Sequence, residues 1–424
     1  MMWSAAALGK FTKMVGGGTP SKNREDFWNG DIPWVSPKDM SFREIYDAED
    51  HITKAAVNGS ATQVVPPGSI LMVVRSGILV RRFPVAIARV PLALNQDMKA
   101  ILPGELVQPE FLAYALAASE QTVLGQCVKR GATVHSIDIG KLQRLEFPVP
   151  AKSEQLRIVE ILDQADALRR KRAEADAKAA RILPALFYKM FGDPATNPKG
   201  WDTGNLGDVI LETQYGTSTK ANASGNGLPV LRMNNIDSDG YLELADIKYV
   251  ELSRQENKKY ALANGDILFN RTNSKELVGK TGMWRGEMQA VAASYLIRVR
   301  VNQERAIPKF IWAYMNCPFI KQMLLNRCRR AIGMANINAK ELRNLPLIIP
   351  KKDRQMEFSN HLDGLEILRN QWKQSTKAIY RLFDTLLHRA FAGDLTARWR
   401  EAHMKALLAE MEAQAKALNQ AGEL

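Results

Sequence analysis

The sequence predicts an α+β protein of two pseudo-repeated domains, joined and separated by two long antiparallel coiled-coil helices. Three observations predict it. Motifs recur in the same order half a chain apart, each copy ends in a long helical pattern, and both patterns carry a 3.5-residue apolar period. The repeat is plain at "LQRLEFPVPAKSEQ" (Leu142–Gln155) and "LRNLPLIIPKKDRQ" (Leu342–Gln355), 342 − 142 = 200 residues apart. "PGSIL" (Pro67–Leu71) answers "NGDIL" (Asn264–Leu268), and each is followed by an arginine, Arg75 or Arg271. "FLAYAL" at Phe111 answers "FIWAYM" at Phe310, and "LFYKMFGD" (Leu186–Asp193) answers "LLHRAFAGD" (Leu386–Asp394).

Residues 1–151 alternate short apolar runs with Gly, Pro, Asn and Asp, which reads as a compact α+β domain with a helical patch near its end. Residues 152–191 form the first long helix. Residues 192–201, closing "FGDPATNPKG", read as a linker by composition. The second domain covers 202–351, the second long helix 352–392, and a helical tail without a repeat partner 393–424. In the first helix Ile158, Ile161, Ala165, Leu168 and Arg172 step by 3 and 4, as a heptad seam requires. In the second, Leu365, Leu368, Trp372, Ile379 and Leu382 fall on the matching seam. Antiparallel pairing centred on Arg172 and Trp372 makes facing residue numbers sum to about 544, so that small residues meet large ones. Pro184 lacks an amide donor and is expected to kink or interrupt the first helix near Leu183.

The charge balance is 58 Lys+Arg against 45 Asp+Glu, a net +13, which points to a polyanionic partner, nucleic acid before membrane. On charge alone a merely soluble basic protein stays open. Cys127, Cys317 and Cys328 form no CxxC pair and the five histidines are scattered, which argues against zinc and against a disulfide framework. No apolar run approaches the roughly 20 residues that span a bilayer, and "MMWSAAALGK" is a poor signal peptide. A soluble cytoplasmic protein is expected.

No catalytic constellation emerges. "VGKT" (Val278–Thr281) lacks the first glycine of a phosphate loop, since residue 274 is Ser274. "GGG" (Gly16–Gly18) has no dinucleotide pattern around it and reads as a flexible loop. No catalytic residue, metal ligand or cofactor site of the chain's own is therefore expected. Candidate DNA-binding residues are more plentiful, because Arg, Asn and Gln suit base edges while Lys and hydroxyls suit phosphates. In the first domain they are Thr19, Ser21, Lys22 and Arg24, then Ser36 and Lys38, Arg75, and Arg81 with Arg82. In the second they are Tyr215, Thr217 and Lys220, then Arg232, Asn234 and Asn235, and Arg271, Asn273 and Lys275. Basic clusters stand just before the closing strand in both copies, at Lys129 and Arg130 and at Arg327, Arg329 and Arg330.

The combination of "GGGTPSKNREDFWNGDIPWVSPKDM" (Gly16–Met40), "LPALFYKMFGDPATNPKGW" (Leu183–Trp201), "GDILFNRTNS" (Gly265–Ser274) and the helix starts at Pro150/Gln155 and Pro350/Gln355 resembles the specificity subunits of type I restriction–modification systems. The resemblance covers nearly all of residues 1–395. It implies two target-recognition domains, each reading one half of a split sequence in double-stranded DNA. It implies spacer helices that dock two methyltransferase subunits, joined by restriction–translocation subunits, with S-adenosylmethionine held in the methyltransferase and not in this chain. Two other readings stay open: a cryptic methyltransferase or nuclease, which requires a cofactor or metal motif, and a coiled-coil scaffold that binds only proteins.

Overall fold

In the computed structural model, which describes residues 3–41, 43–131, 134–273, 279–329 and 335–421, the repeat in sequence is a repeat of sheet order. The chain divides into two compact units, residues 1–171 with 376–424 (unit 1) and residues 172–375 (unit 2). In unit 1 the main sheet runs Thr12–Gly16, Met98–Pro103, Ile70–Val73, Val85–Ala88, Glu44–Ile45. In unit 2 it runs Ile210–Tyr215, Leu296–Val301, Ile267–Asn270, Thr281–Met283, the same order without the last strand. A second sheet repeats likewise: Asp50–Ile52, Trp28–Val35, Leu92–Leu94, Val64–Val65 in unit 1, and Lys248–Val250, Leu228–Leu231, Val291–Ala292 in unit 2. Each unit closes by pairing its first strand with its last, Ser4–Ala7 with Glu146–Val149 and Asp202–Asn205 with Pro346–Ile349.

The repeated motifs are structural solutions. In "PGSIL" and "NGDIL" the glycine turns the chain into a central strand at φ +85 (Gly68) and φ +86 (Gly265), a conformation that L side chains rarely adopt. Ile70–Val73 is buried on both faces, as expected for a strand between neighbours and under a helix. "FLAYAL" and "FIWAYM" lie in helices Pro109–Ala118 and Pro308–Asn316, each with proline in its first turn and Phe111 or Phe310 in the core. The glycines at Gly16–Gly18 are no flexible loop. A Cβ on Gly17 would stand 1.9 Å from the Asn95 carbonyl oxygen, and one on its counterpart Gly216 2.0 Å from that of Ala292.

The phrase shared by the two copies is a latch. Gln155, fully buried, accepts from the Gln108 amide at 2.8 Å and donates to the carbonyls of Pro150 (2.8 Å) and Leu106 (2.9 Å). Gln355 accepts from the Ile307 amide at 2.9 Å and donates to the Pro350 carbonyl at 2.8 Å. Each glutamine ties the start of a long helix to its own domain.

The first long helix, Lys152–Ala179, stops at Ala180–Arg181 and resumes as Ile182–Phe191. The expected interruption therefore falls before Leu183, and Pro184 sits in the first turn of the second piece, where its missing donor costs nothing. The second long helix, Lys352–Phe391, is unbroken. Within unit 1 it runs antiparallel to the first: Arg169 stacks on Phe383 (3.8 Å), while the earlier Glu154 bonds the later Thr396. Within unit 2 Phe187 packs edge-on against Phe358 at 5.9 Å, a pair whose numbers sum to 545, whereas Arg169 and Phe383 in unit 1 sum to 552, so the expected sum of 544 does not hold along both helices.

The seam itself needs correction. Ile158 and Ala165 are buried, and Ile161, Arg172, Leu365, Trp372 and Ile379 are half-buried. Leu168, Leu368 and Leu382 stand 50%, 42% and 47% exposed. The buried rows are instead Ile158, Leu162 and Ala165, then Phe187 and Phe191, with Phe358, Leu362, Phe383 and Ala390 opposite, all within the domain cores. A helix that covers a domain face needs an apolar stripe wider than a two-position seam, and the stripe follows that face. Arg172 pairs with Asp176 at 2.6 Å.

The segment read as a linker and the helical tail are both packed. In the linker, Asn197 clamps Trp201 through both its amide and its carbonyl (3.0 and 2.7 Å), and the Trp201 indole donates to the Phe191 carbonyl at 2.9 Å. The tail forms helices Ala397–Ala402 and Met404–Ala421 on unit 1. There the buried Glu154 carboxylate accepts from Trp3 (2.9 Å), Thr396 (2.6 Å) and Arg400 (2.8 Å).

Candidate nucleic-acid interface

A short ribbon stands at one end of each main sheet. In unit 1, His135–Ile137 pairs on one side with Val128–Lys129 and on the other with Arg75–Ser76. Ser136 is opposite both Lys129 and Arg75, so the two cations share a cross-strand row and one face of the ribbon. Arg75, Lys129 and Arg130 are exposed, as are Arg81 and Arg82 at the end of the turn that follows Arg75–Ser76. Lys129 reaches Asp138 at 3.2 Å but keeps 66% of its side chain exposed. Such a face of like charges, desolvated by nothing in the chain, attracts a polyanion. Unit 2 repeats the ribbon as Thr272–Asn273 with Ala335–Asn336.

The other candidates divide by what already holds them. Ser36 is buried and bonds Asp39, Thr217 is buried and bonds Thr219, and Asn235 is buried between the Arg232 amide and the Glu243 carbonyl. All three order turns and are not reachable, which corrects their reading as binding residues. Arg24 is paired with Asp26 (2.7 Å), Lys38 with Asp50 and Glu49 (2.9 and 3.0 Å), and Arg232 with Asp246 (3.0 Å), so their charges are already answered within the chain. The partner raises the pKa of Arg24, first through its hydrogen bond, and that of Lys38 likewise. Ser21, Lys22 and Lys220 are exposed on loops, Asn234 is exposed in the 3-10 turn Met233–Asn235, and Thr19 and Arg271 are half-buried. Tyr215, 39% exposed, lies under the Arg271 guanidinium at 4.7 Å. Lys275 and Arg330 lie outside the described residues, as do the side chains of Asn273, Arg327 and Arg329.

Sequence reasoning missed Asn336, which meets Arg271, and Lys99. The signal for Lys99 was available: it is the single charge in the apolar strand "MKAILP". Among the described residues no cluster of His, Cys, Asp and Glu has the geometry of a metal site, and no helix is long and apolar enough to cross a membrane.

Two domains of repeated topology match a known family twice. The model described as "Type I restriction modification DNA specificity domain" covers residues 2–175 and again 198–378. The chain belongs to this family. It is thus a specificity subunit of the type I restriction–modification kind, a DNA-recognising component that assembles with other subunits. It is 47% identical over 162 residues to the EcoR124I/EcoR124II specificity subunit of Escherichia coli, a match spanning 38% of this chain and 40% of that one. It is 24% identical over 416 residues to the MjaIX specificity subunit of Methanocaldococcus jannaschii, spanning 93% of each. In fold it is similar to the S subunit of a type I system from M. genitalium, with TM-score 0.51 and 13% identity over 92% of this chain and 96% of that one. A chain from a structure of "complex assembly and conformational transition of the type I R-M system" agrees at TM-score 0.57 and 17% identity over 93% and 98%.

Proposed function

We propose that the chain reads a split DNA target, unit 1 contacting one half-sequence and unit 2 the other. The observation that carries this is that one sheet topology is built twice with different residues at equivalent positions of its ribbons, Arg75 and Ser136 in unit 1 against Thr272 and Asn336 in unit 2. Two readers of one shape and different surface chemistry suit two unlike half-sites. Base-edge contacts are local to each domain, so neither half depends on the other.

The chemistry belongs to partners. In this reading two methyltransferase subunits dock on the long helices and bring S-adenosylmethionine for adenine methylation, and restriction–translocation subunits join the cytoplasmic complex. Support for this lies in the family and in the relatives' names. The purified chain incubated with labelled S-adenosylmethionine, or with Mg²⁺ and DNA, should transfer no methyl group and cut nothing. In the complex, replacing residues 1–151 with those of another family member should change one half of the methylated sequence and leave the other intact. A swap that alters both halves rejects independent readers.

A further inference from the structure

Three backbone positions correspond between the units by their main-chain bonds. The carbonyls of Val74 and Arg271 accept from Ile137 (2.8 Å) and Ile337 (2.9 Å). Ser136 and Asn336 precede those isoleucines and pair with Arg75 and Thr272. Gly16 and Tyr215 end the first strand of each main sheet, opposite Lys99 and Ile297. Arg271 thus corresponds to Val74, which stands three residues after "PGSIL" as Arg271 stands three after "NGDIL", and not to Arg75, the arginine that follows the first motif.

In unit 2 the three positions carry a built cluster. The Arg271 guanidinium lies 4.7 Å from the centre of the Tyr215 ring, and its Nε donates to Asn336 Oδ1 at 3.2 Å. The Tyr215 hydroxyl is itself fixed, accepting from the Ala339 amide at 3.0 Å. In unit 1 the same positions are Gly16, Val74 and Ser136, which offer no charge. There the neighbouring strand supplies one: Lys99 Nζ is 3.3 Å from where a Gly16 Cβ would stand. Each unit therefore puts a cation at one corner, from a different residue at a different backbone position. Among the described residues no carboxylate lies within ion-pair distance of Arg271 or Lys99, unlike Arg24, Lys38 and Arg232.

A guanidinium whose Nε and face are engaged holds its two Nη groups as a fixed fork. That fork matches guanine O6 and N7 in the major groove, and since it also grips a phosphate bidentately, base preference and salt dependence separate the two. Resting on the split-target reading above, we propose that Arg271, positioned by Tyr215 and Asn336, reads a guanine in the half-site of unit 2. Lys99 occupies the equivalent reading point of unit 1.

The test is methylome mapping with the assembled methyltransferase complex, wild-type against Arg271→Ala, Arg271→Lys and Lys99→Ala, with affinities at several salt concentrations. Arg271→Ala should lose the preference for guanine at one position of one half-site, discrimination there falling about tenfold to a hundredfold. The other half-site should be unchanged, which also reports that unit 1 and the complex are intact. Arg271→Lys keeps the charge and loses the fork, so preference at that position should weaken while affinity is retained; this variant decides the matter if Arg271→Ala fails to fold. Lys99→Ala should alter only the other half-site. Unchanged motifs in the Arg271 variants overturn the proposal. So does uniform weakening on all sequences with a shallower salt dependence, the mark of a phosphate contact. A wild-type complex without a split motif would instead remove the functional reading itself, and is told apart because it needs no variant.

Discussion

Gln155 and Gln355 show how one residue type can be legible in a sequence while its work is not. Their repetition 200 residues apart is visible at once, but a buried amide closing three backbone groups looks like any polar residue near a helix start. The same blindness misplaced Ser36, Thr217 and Asn235. Hydroxyl and amide side chains that suit DNA also suit turns, and only burial separates the two uses. Lys99 and Asn336 escaped for the opposite reason: each acts through a neighbour distant in sequence. The latch can be weighed directly. Gln155→Ala leaves the Gln108 amide and the Leu106 carbonyl short of partners, while the Pro150 carbonyl keeps Gln414, so unit 1 should lose about 2–4 kcal/mol by urea unfolding. A loss under half a kcal/mol would show that water replaces the glutamine.

At the scale of elements the duplication and both long helices were legible, because period and punctuation report local structure, whereas the order of strands in each sheet was not. Which face a helix buries was not, since the heptad row and the domain-facing stripe overlap at Ile158 and Ala165 and part at Leu168. The tail was the least legible element, having no counterpart to compare with. Its anchoring to Glu154, 1% exposed, depends on Arg400. Arg400→Ala strands a buried carboxylate, and breaking such a pair costs about 3–5 kcal/mol. Scanning calorimetry should show the transition of unit 1 moving down in temperature and that of unit 2 staying. Equal shifts in both would mean that the two units do not melt separately.

For the whole molecule, the duplication fixes what can be separated from what. If the long helices set the spacing of the half-sites, the place to lengthen them is Ala180–Arg181, between the two helical pieces. The segment after Gly192 is unsuitable, because Asn197, Trp201 and Phe191 are bonded to one another there. Four residues inserted after Ala180 add about one helical turn. The mapped methylation motif should keep both half-sequences and widen the unread gap between them. An unchanged gap would mean that the helices are not the spacer.

The latch described above carries a consequence for ancestry. Every partner of Gln155 and of Gln355 is a main-chain atom, an amide or a carbonyl. A socket made of backbone does not inspect the side chains of the domain that offers it. Any domain with the same chain path can offer that socket, provided it also presents an apolar face to Ile158, Leu162 and Ala165. Genetic crossovers near residue 151 therefore keep the latch intact without compensating substitutions, which opens exchange between lineages as a route to new combinations of half-sites.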